Sequence, residues 1–379
     1  MEYRKLEKLG IETSLLGFGC MRFPCNKDGS INETEALRMI DTAYKAGVNY
    51  FDTAYVYHDG KSEIFTGRAL DRYDRDSYYL ATKLPVWLVE SVADAERLFH
   101  EQLKKLNKDY IDFYLLHALD RAGFDKIVSQ GLLELMDRLK AEGKIRYIGF
   151  SFHDEYDAFE HILTYRDWDF CQIQLNYMDT DIQAGMKGYE MTEKLDIPLI
   201  IMEPVKGGSL ANLPESAAKY FSAINPTKSA ASWALRWGAS LPNVKVVLSG
   251  MSNEKQVYDN LDTFGNFSKL SDIEQKAVAN AAKALISRVK NGCTGCGYCM
   301  PCPFGVDIPG NFRAFNEFGM YQNEWEVRWF WKNGITEAAK AKNCTECGKC
   351  EEACPQKLNI REDLKKVQTQ FDKICAKLN

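Results

Sequence analysis

Asn49-Tyr-Phe-Asp-Thr-Ala-Tyr-Val-Tyr-His-Asp-Gly-Lys-Ser-Glu-Ile-Phe-Thr-Gly-Arg-Ala-Leu70 reads as a strand, a loop and a helix. The short apolar run ends in a carboxylate, Asp52. A loop carrying a phenol, Tyr57, follows, and Ser62 and Glu63 open the helix. A strand with polar groups at its C-terminal end that feeds a helix is one βα unit of a barrel or a doubly wound sheet. Upstream, residues 2–14 read as a hairpin turning near Gly10, suited to plug the bottom of a barrel. Residues 15–20 form the first barrel strand, whose glycines let backbone approach a ligand. Residues 32–46 place Ala36, Met39, Ile40 and Ala43 at helical spacing between an Asn32 cap and Gly47. Downstream, strands at 78–82, 111–116, 145–151, 171–175, 199–202 and 244–248 alternate with helices. Those helices lie at 92–106, 132–141, 156–165, 185–195, 229–237 and 254–264. That makes eight βα units. Apolar, β-branched strands without alternation suit a parallel sheet buried on both faces, and eight units predict a closed barrel.

Phe51-Asp-Thr-Ala54, Tyr57, Ser62-Glu63 and Gly67-Arg-Ala-Leu70 together resemble the signature of the aldo-keto reductases. In that family the Asp and the Tyr five residues on belong to a catalytic tetrad. A Lys after the next strand and a His after the one that follows complete it. This chain has Lys83 in Leu80-Ala-Thr-Lys-Leu-Pro85 and His117 in Asp112-Phe-Tyr-Leu-Leu-His117, in the same order. The resemblance implies a (β/α)8 TIM barrel that reduces an aldehyde or ketone to an alcohol, or the reverse, with NAD(P)H. Asp52, Tyr57, Lys83 and His117 are then its catalytic residues.

The chemistry needs these residue types. Hydride addition to a carbonyl builds negative charge on its oxygen, and the neutral O–H of Tyr57 supplies the proton. A phenol's ordinary pKa of ~10 is high for that task. A nearby ammonium, Lys83, favours the phenolate and lowers it. Asp52 pairs with Lys83, and His117 orients the carbonyl or shares the proton. Each residue alone has a plainer reading: a helix cap, a solvated loop lysine, a core histidine. Their joint placement at successive strand ends carries the functional one.

The same resemblance implies the cofactor contacts. Ser151 in Gly149-Phe-Ser-Phe-His153 and Gln172 match groups that hold the nicotinamide carboxamide, but Phe152 stands where the family has Asn. The loop of Glu203, Pro204, Val205, Lys206 and Gly208 resembles the one that covers the pyrophosphate. Ser249, Gly250, Met251 and Ser252 resemble the phosphate loop, with Gln256 and Asn260 in the helix behind it. A helix N-terminus there favours an anion. Met251 or Ser252 occupies the place of the family's Arg for the 2′-phosphate. Lys255 offers only a point charge in its stead, so the cofactor is NADP(H) or NAD(H). Phe23, Trp87, Phe152 and Tyr177 are expected to wall the substrate, a small-molecule carbonyl compound.

The chain's 379 residues leave room beyond a barrel of roughly 250 residues for a second unit. A net charge of −5 gives no basic surplus for nucleic acid. Mean hydropathy of −0.36 and the lack of a long apolar run speak against a membrane span. The charged start, Met-Glu-Tyr-Arg-Lys, lacks an apolar leader core. Of the twelve cysteines, eight crowd between Cys293 and Cys354, which fits metal in a reducing, cytoplasmic compartment better than disulfides.

After residue 270 the composition shifts. The expected division is a barrel over residues 1–270, a linking helix over 271–290 and an iron–sulfur domain over 291–379. The domain holds Cys293-Thr-Gly-Cys-Gly-Tyr-Cys-Met-Pro-Cys302 and Cys344-Thr-Glu-Cys-Gly-Lys-Cys-Glu-Glu-Ala-Cys354, each followed by Pro. Zinc also binds paired cysteines, usually as two separated pairs. Three cysteines at three-residue steps, then a fourth before Pro, match [4Fe–4S] ligation instead. Cys293, Cys296, Cys299, Cys302, Cys344, Cys347, Cys350 and Cys354 are thus expected to hold two [4Fe–4S] clusters. In the two-cluster ferredoxins that this module resembles, the fourth Cys of each run ligates the other run's cluster. The first run is one residue short before Cys302, where that pattern is most exposed to failure. The spacer carries Phe312, Phe315, Phe318, Tyr321, Trp325, Trp329, Phe330 and Trp331. Its length resembles the mainly α-helical ferredoxin domains of succinate dehydrogenase-type subunits, and its aromatic stripe reads as packing. Cys20, Cys25, Cys171 and Cys375 read as small hydrophobes or free thiols.

Nicotinamide gives two electrons as hydride, whereas a cluster moves one, and no flavin motif bridges them. The reading is a carbonyl reductase fused to an electron-transfer module, with a flavoprotein or ferredoxin as redox partner. The alternative is an electron-transfer protein whose barrel docks a flavin or flavoprotein; a regulatory subunit that senses nucleotide is a third reading, against which the intact tetrad argues.

Overall fold

Gly10, at a φ of +66°, lets the chain reverse after one short 3-10 turn. The reversal pairs β1 (Tyr3–Leu6) with β2 (Ile11–Ser14). In the computed structural model, which describes residues 1–377, eight further strands close a parallel barrel. They are β3 (Leu16–Gly19), β4 (Tyr50–Asp52), β5 (Tyr79–Leu84), β6 (Ile111–Leu119), β7 (Ile145–Phe152), β8 (Phe170–Gln174), β9 (Leu199–Met202) and β10 (Val244–Gly250). Each pairs with the next, and β10 returns to β3.

The helices follow the strands. They are α1 (Glu33–Lys45), α2 (Ser62–Leu70), α3 (Val92–Leu106), α4 (Arg121–Ser129), α5 (Leu132–Ala141), α6 (Tyr156–Tyr165), α7 (Gly185–Lys194), α8 (Glu215–Ser222), α9 (Ala230–Ala239), α10 (Glu254–Gly265) and α11 (Asp272–Ile286). Side chains of Asn32, Ser91 and Asn253 accept from backbone amides in the first turns of α1, α3 and α10. Such caps satisfy donors that the helix itself leaves open. Two helices were not read from the sequence: α4, capped by Asp120, and α8, which follows Pro214.

The chain forms two compact units. One joins Met1–Gly207 with Ala231–Gln275; the other joins Gly208–Ala230 with the chain from Lys276 onward. Residues 208–230 therefore group with the cysteine-rich part, a division that the eight-fold repeat does not reveal. The second unit is helical: α12 (Ile308–Tyr321), α13 (Glu324–Trp329), α14 (Lys349–Ala353) and α15 (Ile360–Ala376). Its core includes Phe312, Phe315, Trp331, Leu364 and Phe371. The aromatic stripe splits: Phe312, Phe315, Tyr321 and Trp331 are buried, whereas Trp325 and Trp329 are exposed. Among the described residues no helix is long and apolar enough to cross a membrane.

Candidate active site and cysteine cavities

Side chains alternate along a strand with period two. Leu6, Tyr50, Ala81, Phe113, Leu115, Phe170, Ile200 and Val246 form one apolar cluster inside the barrel. Two residues further along the same strands stand Asp52, Lys83, His117 (after Leu115) and Gln172. The chain thus lays polar groups directly over an apolar layer, with the hairpin residue Leu6 sealing the base. Chemistry at the C-terminal ends of barrel strands is the rule for this architecture.

The tetrad residues meet. Lys83 Nζ donates to Asp52 Oδ1 at 2.6 Å, to the Thr53 carbonyl at 2.7 Å and to the Tyr57 hydroxyl at 3.4 Å. Its side chain is 1% exposed and that of Asp52 5%. The rings of Tyr57 and His117 lie edge to face at 6.0 Å. Trp87 lies 5.1 Å from His117 and is itself exposed.

Electrostatics corrects one expectation. Burial pushes the Tyr57 phenol above its usual range; the Lys83 ammonium pulls it down and Asp52 pushes it up, leaving a net rise. Lys83 limits the rise and does not reverse it. Burial also works against the Lys83 ammonium, but Asp52 and Tyr57 outweigh it and hold Lys83 above its ordinary value. His117 is pushed down to about 3, by burial first and then by Lys83 and His153. It is a neutral imidazole at physiological pH, so it can donate one N–H but carries no charge. Its buried Nδ1 has no hydrogen-bond partner among the described residues.

The residues expected to hold a cofactor fall into three groups. Gln172 Oε1 is buried without a hydrogen-bond partner among the described residues. The buried Ser151 Oγ accepts from the Ala118 amide at 2.8 Å, which leaves its own O–H to give. A carboxamide, with both a donor and an acceptor, suits this pair. Ser249, Gly250, Met251, Ser252, Gln256 and Asn260 form a built loop. Asn260 Nδ2 donates to Ser249 Oγ at 2.7 Å, and the Ser252 amide donates to Gln256 Oε1 at 2.7 Å. In the third group, Glu203 and Lys206 both adopt left-handed φ, +53° and +48°. Lys206 Nζ bonds both oxygens of buried Asp179, at 2.7 and 2.8 Å, so its charge is already met. Pro204 is buried and Val205 packs against the barrel's core. Gly208 belongs to the second compact unit.

Phe152 does not line the mouth. It is fully buried and packs edge to face on Phe159 of α6, because one step beyond inward Ser151 the strand points outward. Phe23 is buried against Phe65 and lies beside His58.

Sequence reading missed a buried network behind Lys83. Glu63 Oε1 accepts from Thr82 Oγ1 and Gln102 Nε2, both at 2.7 Å, and Gln102 Nε2 also donates to the Lys83 carbonyl at 3.0 Å. Burial raises the Glu63 carboxyl. On sequence Glu63 stands in the signature's Ser62-Glu63 pair and in a helix's first turn, where the dipole favours an acid, and neither shows its buried partners. Asp179 escaped notice in the same way.

The eight motif cysteines surround two cavities in the second unit. Cys293, Cys296, Cys299 and Cys354 line one; Cys302, Cys344, Cys347 and Cys350 line the other, and Cys299 touches both. Cys354 comes from the second run and Cys302 from the first, so each ring takes its fourth thiol from the other run. Among the described residues no three His, Cys, Asp or Glu groups converge as a single metal ion needs. Thiolates at ~2.3 Å from one zinc would lie within about 4 Å of each other; thiols spread round a cavity suit a multi-iron cluster. The second cavity measures about 220 Å³ and the first about 20 Å³. The Gly295 amide already points at Cys293 Sγ, 3.4 Å away.

Comparison with known proteins agrees with this geometry. Residues 15–283 match the Aldo/keto reductase family, and residues 292–358 match a 4Fe-4S dicluster domain. L-galactose dehydrogenase of Arabidopsis thaliana is 25% identical over 311 residues, 77% of this chain and 96% of that protein. Probable aldo-keto reductase 1 of Glycine max is 32% identical over 155 residues, 39% of this chain and 44% of that protein. Among solved structures, the holo form of aldo-keto reductase AKR11C1 from Bacillus halodurans superposes with a TM-score of 0.63. It is 27% identical, and the match covers 75% of this chain and 97% of that one.

Proposed function

Because the chain belongs to the aldo/keto reductase family, we propose that its barrel reduces an aldehyde or ketone to the alcohol, or runs the reverse, with NADPH or NADH. The observation that carries this reading is the buried chain Asp52–Lys83–Tyr57 beside a neutral His117. A nicotinamide bound at the barrel mouth would supply the hydride. Gln172 Oε1 and the Ser151 hydroxyl would hold its carboxamide, and the loop 249–252 with Gln256 and Asn260 its phosphate end. Tyr57 donates its proton to the carbonyl oxygen. Lys83, kept charged by Asp52, stabilises the phenolate left behind, and the uncharged His117 donates an N–H that orients the carbonyl.

The same proposal assigns two [4Fe–4S] clusters to the second unit, held in crossed fashion. Cys293, Cys296, Cys299 and Cys354 bind one, and Cys344, Cys347, Cys350 and Cys302 the other. The two thiol rings support this assignment over one cluster per run. Such clusters carry single electrons, so the matching partner is a flavoprotein or a ferredoxin.

Tyr57→Phe tests the reductase reading. The variant should lose about 10²–10⁴-fold in carbonyl reduction, the usual share of general acid catalysis, while binding the nicotinamide unchanged. Full reductase activity in Tyr57→Phe would remove Tyr57 from the mechanism.

A further inference from the structure

We infer that Gln102 is a positioning residue for carbonyl reduction: it fixes the stretch of β5 that carries Lys83 and so keeps Lys83 Nζ on the Tyr57 hydroxyl. The inference rests on the reductase reading of the barrel. α3 buries an apolar face through Ala95, Leu98, Phe99, Leu103 and Leu106, and the polar Gln102 lies fully buried in the same face. A buried amide is costly unless its polar atoms are bonded. Here they are. Gln102 Nε2 donates to Glu63 Oε1 at 2.7 Å and to the Lys83 carbonyl at 3.0 Å, and it lies 3.1 Å from Thr82 Oγ1. Gln102 Oε1 accepts from the Tyr114 hydroxyl at 2.7 Å, which fixes the end of the amide that faces Lys83.

Strand register explains why β5 needs such a tie. β4 pairs with β5 from Tyr50 and Tyr79 to Asp52 and Ala81, and the Thr53 amide adds one bond to the Ala81 carbonyl. The ladder then ends on that side, two residues short of Lys83, and Pro85 beyond Leu84 has no N–H to give. On the other side β6 stays paired as far as Leu84. Where β4 stops, two helices take over: Glu63 of α2 accepts from Thr82 Oγ1, and Gln102 of α3 holds the Lys83 carbonyl. Lys83 is therefore tied at both ends. Its Nζ meets Asp52, the Thr53 carbonyl and Tyr57, on β4 and the loop after it. The Tyr57 contact, at 3.4 Å, is the longest of the three and the first that a slack β5 would lose. Of the charges that act on the Tyr57 phenol, Lys83 pulls it down and Asp52 and Cys20 push it up, with neutral His117 beside it.

The test uses Gln102→Met, which is similar in size but lacks the amide, and Tyr114→Phe, which removes only the hydroxyl that orients it. Both are made in the full chain, prepared anaerobically and checked for native circular dichroism. Single-turnover carbonyl reduction and alcohol oxidation are followed from about pH 6 to 10. Gln102→Met should slow both directions about ten- to hundredfold, the scale of a displaced reacting group, and leave nicotinamide affinity unchanged. Tyr114→Phe should slow them by a smaller factor. In both variants the pH of half-maximal alcohol oxidation, which needs the phenolate, should rise, because a more distant ammonium lowers the phenol less. If Gln102 only packs α3, Gln102→Met loses stability but keeps the wild-type rate and pH profile per folded molecule, and that result overturns the assignment. So does a slower rate with an unmoved pH profile. Should Gln102→Met fail to fold, Tyr114→Phe decides: a wild-type rate and profile there overturns it as well. A wild-type chain that reduces no aldehyde or ketone sinks the reductase reading, and this assignment with it.

Discussion

Replacing Asp52 by Asn should turn Lys83 from a stabilising group into a destabilising one. Lys83 is 1% exposed, and its Nζ has three partners, of which only Asp52 carries a full opposite charge. At 2.6 Å and an effective dielectric constant of about 20, the direct attraction is about 6 kcal/mol. Part of it offsets desolvation, and losing one partner of a buried pair costs about 3–5 kcal/mol in practice. The sign of the pH dependence should also reverse. In the wild type Asp52 and Tyr57 outweigh burial and hold Lys83 above its ordinary value. Its stabilisation is then complete below about pH 10 and fades only as pH rises through the folded value. In Asp52→Asn, burial is opposed only by a phenol and a carbonyl, so the folded value drops below the unfolded one. The penalty is then complete below the folded value and eases as pH climbs toward about 10. Urea unfolding followed by circular dichroism from pH 7 to 10 measures both effects. A loss below about 1 kcal/mol at pH 7, or a pH slope parallel to that of the wild type, would refute the reasoning.

Two further outcomes follow from the geometry. Lys255 is exposed in the first turn of α10, and no Arg stands in the phosphate loop. NADPH should be preferred over NADH by only a modest factor, and Lys255→Ala should abolish that preference; strong NADPH preference in both proteins would point to another cation. Cys354→Ala should empty the site of Cys293, Cys296 and Cys299 and spare that of Cys344, Cys347 and Cys350. Anaerobic iron counting with EPR decides it, and the loss of the second run's cluster alone would contradict crossed ligation.

What the chain shows as text and what it hides divide along physical lines. The start of α1 was legible because a side chain marks it: Asn32 caps that helix as its place in the sequence implies. Barrel closure followed from counting eight apolar strands. The tetrad was legible because its members lie at strand ends in chain order. Burial was not. That Tyr57 ends above its usual range despite Lys83, and that His117 falls to about 3, depend on how much water the walls exclude. Phe152 was misplaced because its facing depends on strand phase, which only the inward position of Ser151 settles. Glu63 and Asp179 act through partners that are distant in sequence or generic in type, Gln102 and Lys206. The grouping of residues 208–230 with the cysteine-rich unit leaves no local signature at all.

The central claim is that the barrel passes a hydride between nicotinamide and a carbonyl carbon. Anaerobic protein mixed with NADPH deuterated at the transferable C4 position and a panel of aldehydes and ketones tests it directly. Mass spectrometry should find deuterium on the carbinol carbon of at least one product, and Tyr57→Phe should form that product about 10²–10⁴-fold more slowly. Bleaching of the cluster absorbance by NADPH, with no deuterium on any carbinol carbon, would contradict the claim and favour an electron-transfer protein instead.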